Sequence, residues 1–316
     1  MNDPLAAAVD DALARAVVYR TLSIGFQAPT DERLRQVGAL EGFGVVATAL
    51  RCLDQRDRTV HRVPLPPSHE ASASAEASAD RGSLGGGGQA DPGPLEQSAD
   101  RLASMSLPGV ETLVDDFVRL FGHTTRGLVC ACETEYGPDN GFHQPQQLAD
   151  LSGYYLAFGL RPALASDVRA DHIACECEFM DFLSRKEALL LAGGARGPSD
   201  EETLAVTRQA ARTFLRDHLG RFGRAFAARV ATEDAGGYFG TWGHILLAFV
   251  YAECMKAGVN GGPIDLTVQP ESIDETPMAC GSVDDLIQIE RHPRESGVGR
   301  SGPHARPSRG SGQSPD

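Results

Sequence analysis

The sequence predicts an all-α protein, and three observations carry that prediction. Over most of the chain apolar residues recur every three or four positions, the pattern of helices that bury one face. No stretch of useful length alternates apolar and polar residues with a period of two, and the strand-like residues 264–268 stand alone. The 35 Gly and 19 Pro are concentrated in a middle segment and a C-terminal tail, which separates two breaker-rich regions from a chain able to run as helix. With 41% apolar residues the remainder has enough to bury, so the expected architecture is a single helical bundle. Residues 1–63 supply its N-terminal helices, 64–106 a disordered insertion, 107–260 the remaining helices and 261–316 a mostly disordered tail.

The first helical layer covers roughly residues 4–57. Leu13, Val17, Val18, Leu22 and Phe26 fall at helical spacing, and Pro29-Thr30-Asp31-Glu32 reads as a break, an N-cap and an acidic first turn. Leu34, Val37 and Leu40, then Val45, Val46 and Leu50, continue the period. Residues 64–106 are small, polar and Gly-rich with almost nothing to bury, the composition of a solvated linker. Order resumes where Val110, Leu113, Val114, Phe117, Val118 and Phe121 define a strongly amphipathic helix. A further helix at 147–160 places Leu148, Leu151, Tyr155 and Phe158 on one face. Asp171 stands at an N-cap position ahead of a long helix whose stripe is Ile173, Cys177, Met180 and Leu183, ended by Gly193-Gly194. Two last helices are expected, one continuous from Leu204 through Phe214, Leu215 and Leu219 to Phe226, the other from Phe239 to Val250. The tail holds one weakly apolar patch at 283–289.

A formal net charge of −14 disfavours nucleic acid or an anionic lipid surface as the main partner and favours a basic one. The first twenty residues are acidic where a secretory leader is basic, and no apolar run approaches the roughly 20 residues of a membrane helix, so the protein is expected in the cytoplasm. Seven cysteines, an odd number, speak for reduced thiols rather than a disulfide framework.

Few constellations promise chemistry. Cys130-Ala131-Cys132 and Cys175-Glu176-Cys177 supply four thiols, enough for a zinc or iron–sulfur site, and this is the alternative reading of the protein. The spacing opposes it: residues two apart on a helix point roughly 200° from one another, and packing of small apolar cysteines accounts for both pairs. Asp171-His172 reads as a cap followed by an exposed first turn. Glu133-Thr134-Glu135-Tyr136, with Asp139 behind it, gathers carboxylates and a phenol, but no nucleophile, metal motif or phosphate loop accompanies them. The run 85–88 lacks the Lys-Ser/Thr of a P-loop, and His123 and His143 have no partner at a recognisable interval. Between 107 and 192 there are 13 Asp and Glu against 6 Lys and Arg, a region suited to a basic peptide. A binding module without cofactor, rather than an enzyme, is the expectation.

These residues also carry a family likeness. Arg15, Tyr19, Leu22, Ser23, Phe26 and Pro29 are spaced as in the first helix of the TorD/DmsD/NarJ redox-enzyme maturation chaperones, and Phe117-xx-Leu120-Phe121 followed by Glu133-xx-Tyr136 resembles their central hydrophobic-plus-acidic motif. The most specific match is Arg169-Ala170-Asp171-His172-Ile173-xx-Glu176-xx-Phe179-Met180-xx-Leu183, similar to their Pro-Asp-His loop and following helix. The sequence departs from the pattern at Ala131-Cys132, where the family often has Pro-Trp, and at Ala170 in place of Pro. The resemblance implies an all-helical fold, no cofactor, and binding of a twin-arginine signal peptide or the apo-catalytic subunit of a molybdoenzyme. It nominates Phe117, Leu120, Phe121, Glu133, Tyr136, Asp171 and His172 as peptide-binding residues. Such a leader has a basic front and an apolar middle, which asks for an acidic rim beside an apolar groove.

Overall fold

A computed structural model describes residues 3–38, 43–61, 92–122, 127–137, 143–161, 168–193 and 197–269, all within the unit Met1–Pro270. Leu40, His123, Asp139, residues 64–91 of the expected insertion and residues 270–316 of the expected tail, with the 283–289 patch, lie outside the described residues. Every regular element among the described residues is helical, and two isolated antiparallel bridges are the extended pairings.

Helix α1 (Pro4–Gly25) opens with Pro4 in its first turn and Asp3 Oδ1 accepting from Leu5 N at 3.0 Å. Its buried face, Ala12, Ala16, Tyr19 and Leu22, packs along α7 (Ile173–Ala192), the most extensive helix pairing among the described residues. The alanines let the two backbones approach, and Leu13, expected in this stripe, is instead 46% exposed. Helix α2 (Asp31–Gly38) starts as the sequence indicates, with Thr30 Oγ1 accepting from Arg33 N at 3.2 Å and Asp31 and Glu32 in the first turn.

Helix α3 (Gly44–His61) packs against α1 and against α4 (Pro94–Ala103). The latter corrects the boundary of the insertion, because residues 94–103 form an ordered helix with Leu95, Ala99 and Leu102 buried between α3 and α10. Three apolar residues on one face suffice here because both neighbours cover that face.

Helix α5 (Val110–Phe121) precedes a 3-10 turn at Glu133–Glu135 and helix α6 (His143–Ala157). The helix expected to run unbroken through Leu219 divides into α8 (Pro198–Asp217) and α9 (Leu219–Glu233) at His218, whose φ of −124° and ψ of −99° interrupt the α geometry. Helix α10 (Tyr238–Ala257) follows after a turn in which Asp234 Oδ2 accepts from Gly240 N at 3.0 Å and Arg119 of α5 holds the same carboxylate at 2.7 Å. Helices α9 and α10 cross closely at Gly243: a Cβ there would lie 2.8 Å from Ala231 N and 2.9 Å from Ala227 O. Trp242, Phe222, Phe226, Phe239 and Phe249 from this pair are fully buried and form the centre of the core.

Candidate functional site

The segment 129–136 joins the end of α5 to the start of α7. Val129 N donates to Leu120 O at 2.8 Å, after which Cys132 and His172 form an antiparallel bridge. In that bridge Glu133 N donates to Asp171 O at 2.9 Å and Ile173 N to Ala131 O at 2.8 Å. The two motifs singled out in the sequence, around Glu133 and around Asp171, are therefore brought together by main-chain pairing. The strand-like residues 264–268 also find a partner, with Val268 bridged to Tyr136.

Arg169 is the hub of this junction. Its Nε and Nη2 donate to the two oxygens of Asp171, each at 2.9 Å, in the bidentate geometry that makes guanidinium–carboxylate pairs specific. Nη1 reaches Glu135 Oε1 at 3.0 Å and Nη2 also reaches Thr134 Oγ1 at 2.7 Å. Thr134 donates in turn to Asp171 Oδ2 from its N at 3.1 Å and its hydroxyl at 2.8 Å. Across the same turn Glu133 Oε1 accepts from Arg221 at 2.8 and 3.1 Å, and Glu133 Oε2 lies 3.0 Å from His218 Nδ1.

Burial changes the role of the nominated residues. Asp171, Glu133 and Leu120 are fully buried, Tyr136 and Phe121 nearly so, and Phe117 is half-buried. Phe117 and Phe121 pack on Phe239 and Phe121 on Phe226, while Tyr136 stacks near Phe222 and donates to Cys130 O at 2.7 Å. The expected free acidic rim is not present at Glu133, Glu135 and Asp171, because arginines of this chain already engage all three carboxylates. Asp171 is not the helix cap either: His172 takes that place, its Nδ1 accepting from Ala174 N at 3.1 Å. Burial pushes the His172 imidazole down to about 4, which keeps Nδ1 an acceptor near neutral pH.

Glu176, on the first turn of α7, is fully buried, and its carboxyl group lies beside that of Glu133. Its pKa stands well above the usual value because of burial first, then the nearby Glu133 and Asp171 carboxylates, so it is held as the neutral acid. Cys130 and Cys132 lie against each other, and their side-chain hydrogen bond lowers the Cys130 thiol while it raises that of Cys132. Cys130, Cys132 and Cys177 are buried, burial pushes Cys175 up to about 12 and Cys177 well above its ordinary value, and among the described residues no group of three or more His, Cys, Asp or Glu is arranged to hold a metal.

Beside the Arg169–His172 loop lies a cleft of about 430 Å³ against α6 and α7. Tyr155, Leu160, Val168, Ala170, Phe179 and Phe182 give it an apolar wall, and Glu178, Asp181, Arg161 and Arg185 are its charged lining. Tyr155 is fixed by donation to Ala170 O at 2.8 Å, which ties the wall to the Asp171 junction. Phe117, Leu120 and Phe121 do not line it. Sequence reasoning missed this cleft, although Ala170 and Phe179 of its lining lie inside the quoted motif; Leu160 and Val168 carried no signal of their own.

Residues 89–228 match the family described as the nitrate reductase delta subunit. The chain is also 42% identical over 74 residues to the dimethyl sulfide dehydrogenase assembly chaperone protein of Rhodovulum sulfidophilum, an alignment spanning 22% of this chain and 27% of that protein. The chain thus covers about a quarter of the length of that curated relative. No solved structure gives a significant match. The matched segment runs from α4 through most of α9 and contains both motifs of the Arg169 junction, so it is this part of the chain that is similar to the nitrate reductase delta subunit family.

Proposed function

We propose that this protein is an assembly chaperone for a molybdenum-containing oxidoreductase, acting in the cytoplasm by stoichiometric binding rather than turnover. Its client is the twin-arginine leader or the apo-catalytic subunit, held while cofactor is inserted and before export. The observation that carries the reading is the coincidence of the family match with the segment that builds the Asp171 junction and the cleft next to it. In this reading the client's apolar segment enters the cleft; Glu133, Tyr136, Asp171 and His172 act mainly by bracing the junction beside its wall, and Phe117, Leu120 and Phe121 by anchoring in the core the end of α5 from which the segment 129–136 departs. The negative net charge attracts the basic front of a leader. No helix among the described residues is long and apolar enough to cross a membrane, which fits a partner met in water.

Calorimetry with the full chain and a synthetic twin-arginine leader peptide tests this. One-to-one binding is expected, weakening as salt is raised from about 50 to 500 mM because the basic front is attracted through solvent. Phe182→Asp, at a half-buried cleft position, is expected to weaken it at least about ten-fold while leaving the helical circular dichroism unchanged. Absence of binding to leader and to apo-subunit alike would refute the reading.

A further inference from the structure

We propose that residues 263–269 form a displaceable strap on the backbone edge of residues 134–137, and that an extended segment of the client polypeptide takes the same edge when the strap leaves. This rests on the reading above that an extended client segment is held.

The strap has a fixed root, and beyond it apolar side chains that are largely exposed. At the root, Gly262 N donates to Gly220 O at 2.8 Å and Arg224 Nη1 donates to Gly262 O at 3.1 Å. No side chain fits there, since a Cβ on Gly262 would lie 1.8 Å from Arg221 O. Beyond it the attachments to the edge are main-chain ones: Gly137 N donates to Thr267 O at 3.0 Å and Gln269 N to Glu135 O at 2.7 Å. A longer contact runs from Gln269 Nε2 to Thr134 O at 3.4 Å. The apolar side chains of the strap contribute little, with Ile264 53% and Val268 38% exposed and only Leu266 packed in part on the core.

Main-chain pairing of this kind is indifferent to sequence, so any extended peptide satisfies the Gly137 N–H and the Glu135 carbonyl as well as residues 267 and 269 do. The edge is also rigid. It is the turn whose carboxylates are clamped by Arg169 and Arg221, and Thr134 O is further bonded by Gln144 Nε2 at 3.2 Å. A rigid edge covered by an exchangeable segment makes the strap a built-in competitor, and removing its hold raises affinity by the inverse of the fraction of time the edge is open.

The test uses the full-length chain and the synthetic leader peptide. Gln269→Pro removes the main-chain bond to Glu135 O and the side-chain contact to Thr134 O. It is expected to bind the peptide about five-fold more tightly than the wild type, as one net hydrogen bond's worth of strap closure is lost. Unchanged or weaker binding by a variant with wild-type melting overturns the strap. Amide exchange supplies a readout independent of the peptide: the Gln269 and Gly137 amides are expected to exchange much faster than that of Val129, which is bonded to Leu120 in the core. If wild type and variant both ignore the peptide, the functional reading fails and exchange alone judges the strap; a Gln269 amide as slow as Val129's overturns it.

Discussion

At the scale of single residues, the junction is a set of buried charges that neutralise one another, with Glu176 left over. Asp171 and Glu133 are fully buried and each meets a guanidinium, whereas Glu176 faces carboxylates and keeps its proton. A group whose folded pKa is raised above its unfolded value of 4.5 gives its full contribution to stability below that value. The contribution is then lost as pH rises toward the folded pKa. Glu176→Gln, which keeps the shape of the neutral acid and cannot ionise, is expected to be more stable than wild type by at least about 1 kcal/mol at pH 8, with the advantage shrinking toward pH 4.5. Urea unfolding at the two pH values measures this; an advantage that grows on acidification would contradict it. Of these residues, Asp171 with its neighbour Arg169, and Glu133 with Tyr136, were legible in the sequence as motifs, but the pairings between distant segments were not. Arg169 lies 34 residues from Glu135, and Arg221 lies 88 from Glu133, separations set by tertiary packing that no local spacing encodes.

At the scale of elements, the sequence showed helices best where one face is wide and regular, as in α5 and α7. It failed at α4, whose ten residues bury only Leu95, Ser98, Ala99 and Leu102 and whose surroundings read as linker. It failed again at the α8–α9 break, where apolar periodicity continues across a kink at His218. The reason is close approach: a Cβ on Gly220 would lie 2.2 Å from Leu215 O, so the turn forms because glycine leaves room for it. The crossing of α9 and α10 depends on Gly243 in the same way. Gly243→Ala is expected to lower stability by about 1–3 kcal/mol, because the atoms it meets are backbone and cannot rotate away. Gly153→Ala, in α6 with nothing within 4 Å, is expected instead to be neutral or to stabilise by up to about 1 kcal/mol. Thermal melts of the two variants make the comparison, and equal effects would contradict the assigned crossing.

At the scale of the molecule, the all-α class followed from periodicity alone, while the position of the cleft did not. Its wall is assembled from α6, α7 and the loop between them, and its apolar residues are spaced over 28 positions from Tyr155 to Phe182, a constellation visible only once the chain is folded. The central claim is that a client's apolar segment sits in this cleft, braced by the Arg169 junction. A leader peptide carrying a photo-reactive phenylalanine in its apolar middle, irradiated in complex with the full chain and mapped by mass spectrometry, tests it most directly. The account predicts attachment at Leu160, Val168, Phe182 and Arg185; attachment confined to exposed apolar residues elsewhere, such as Leu189, Val206 and Met255, with none in the cleft, would contradict it.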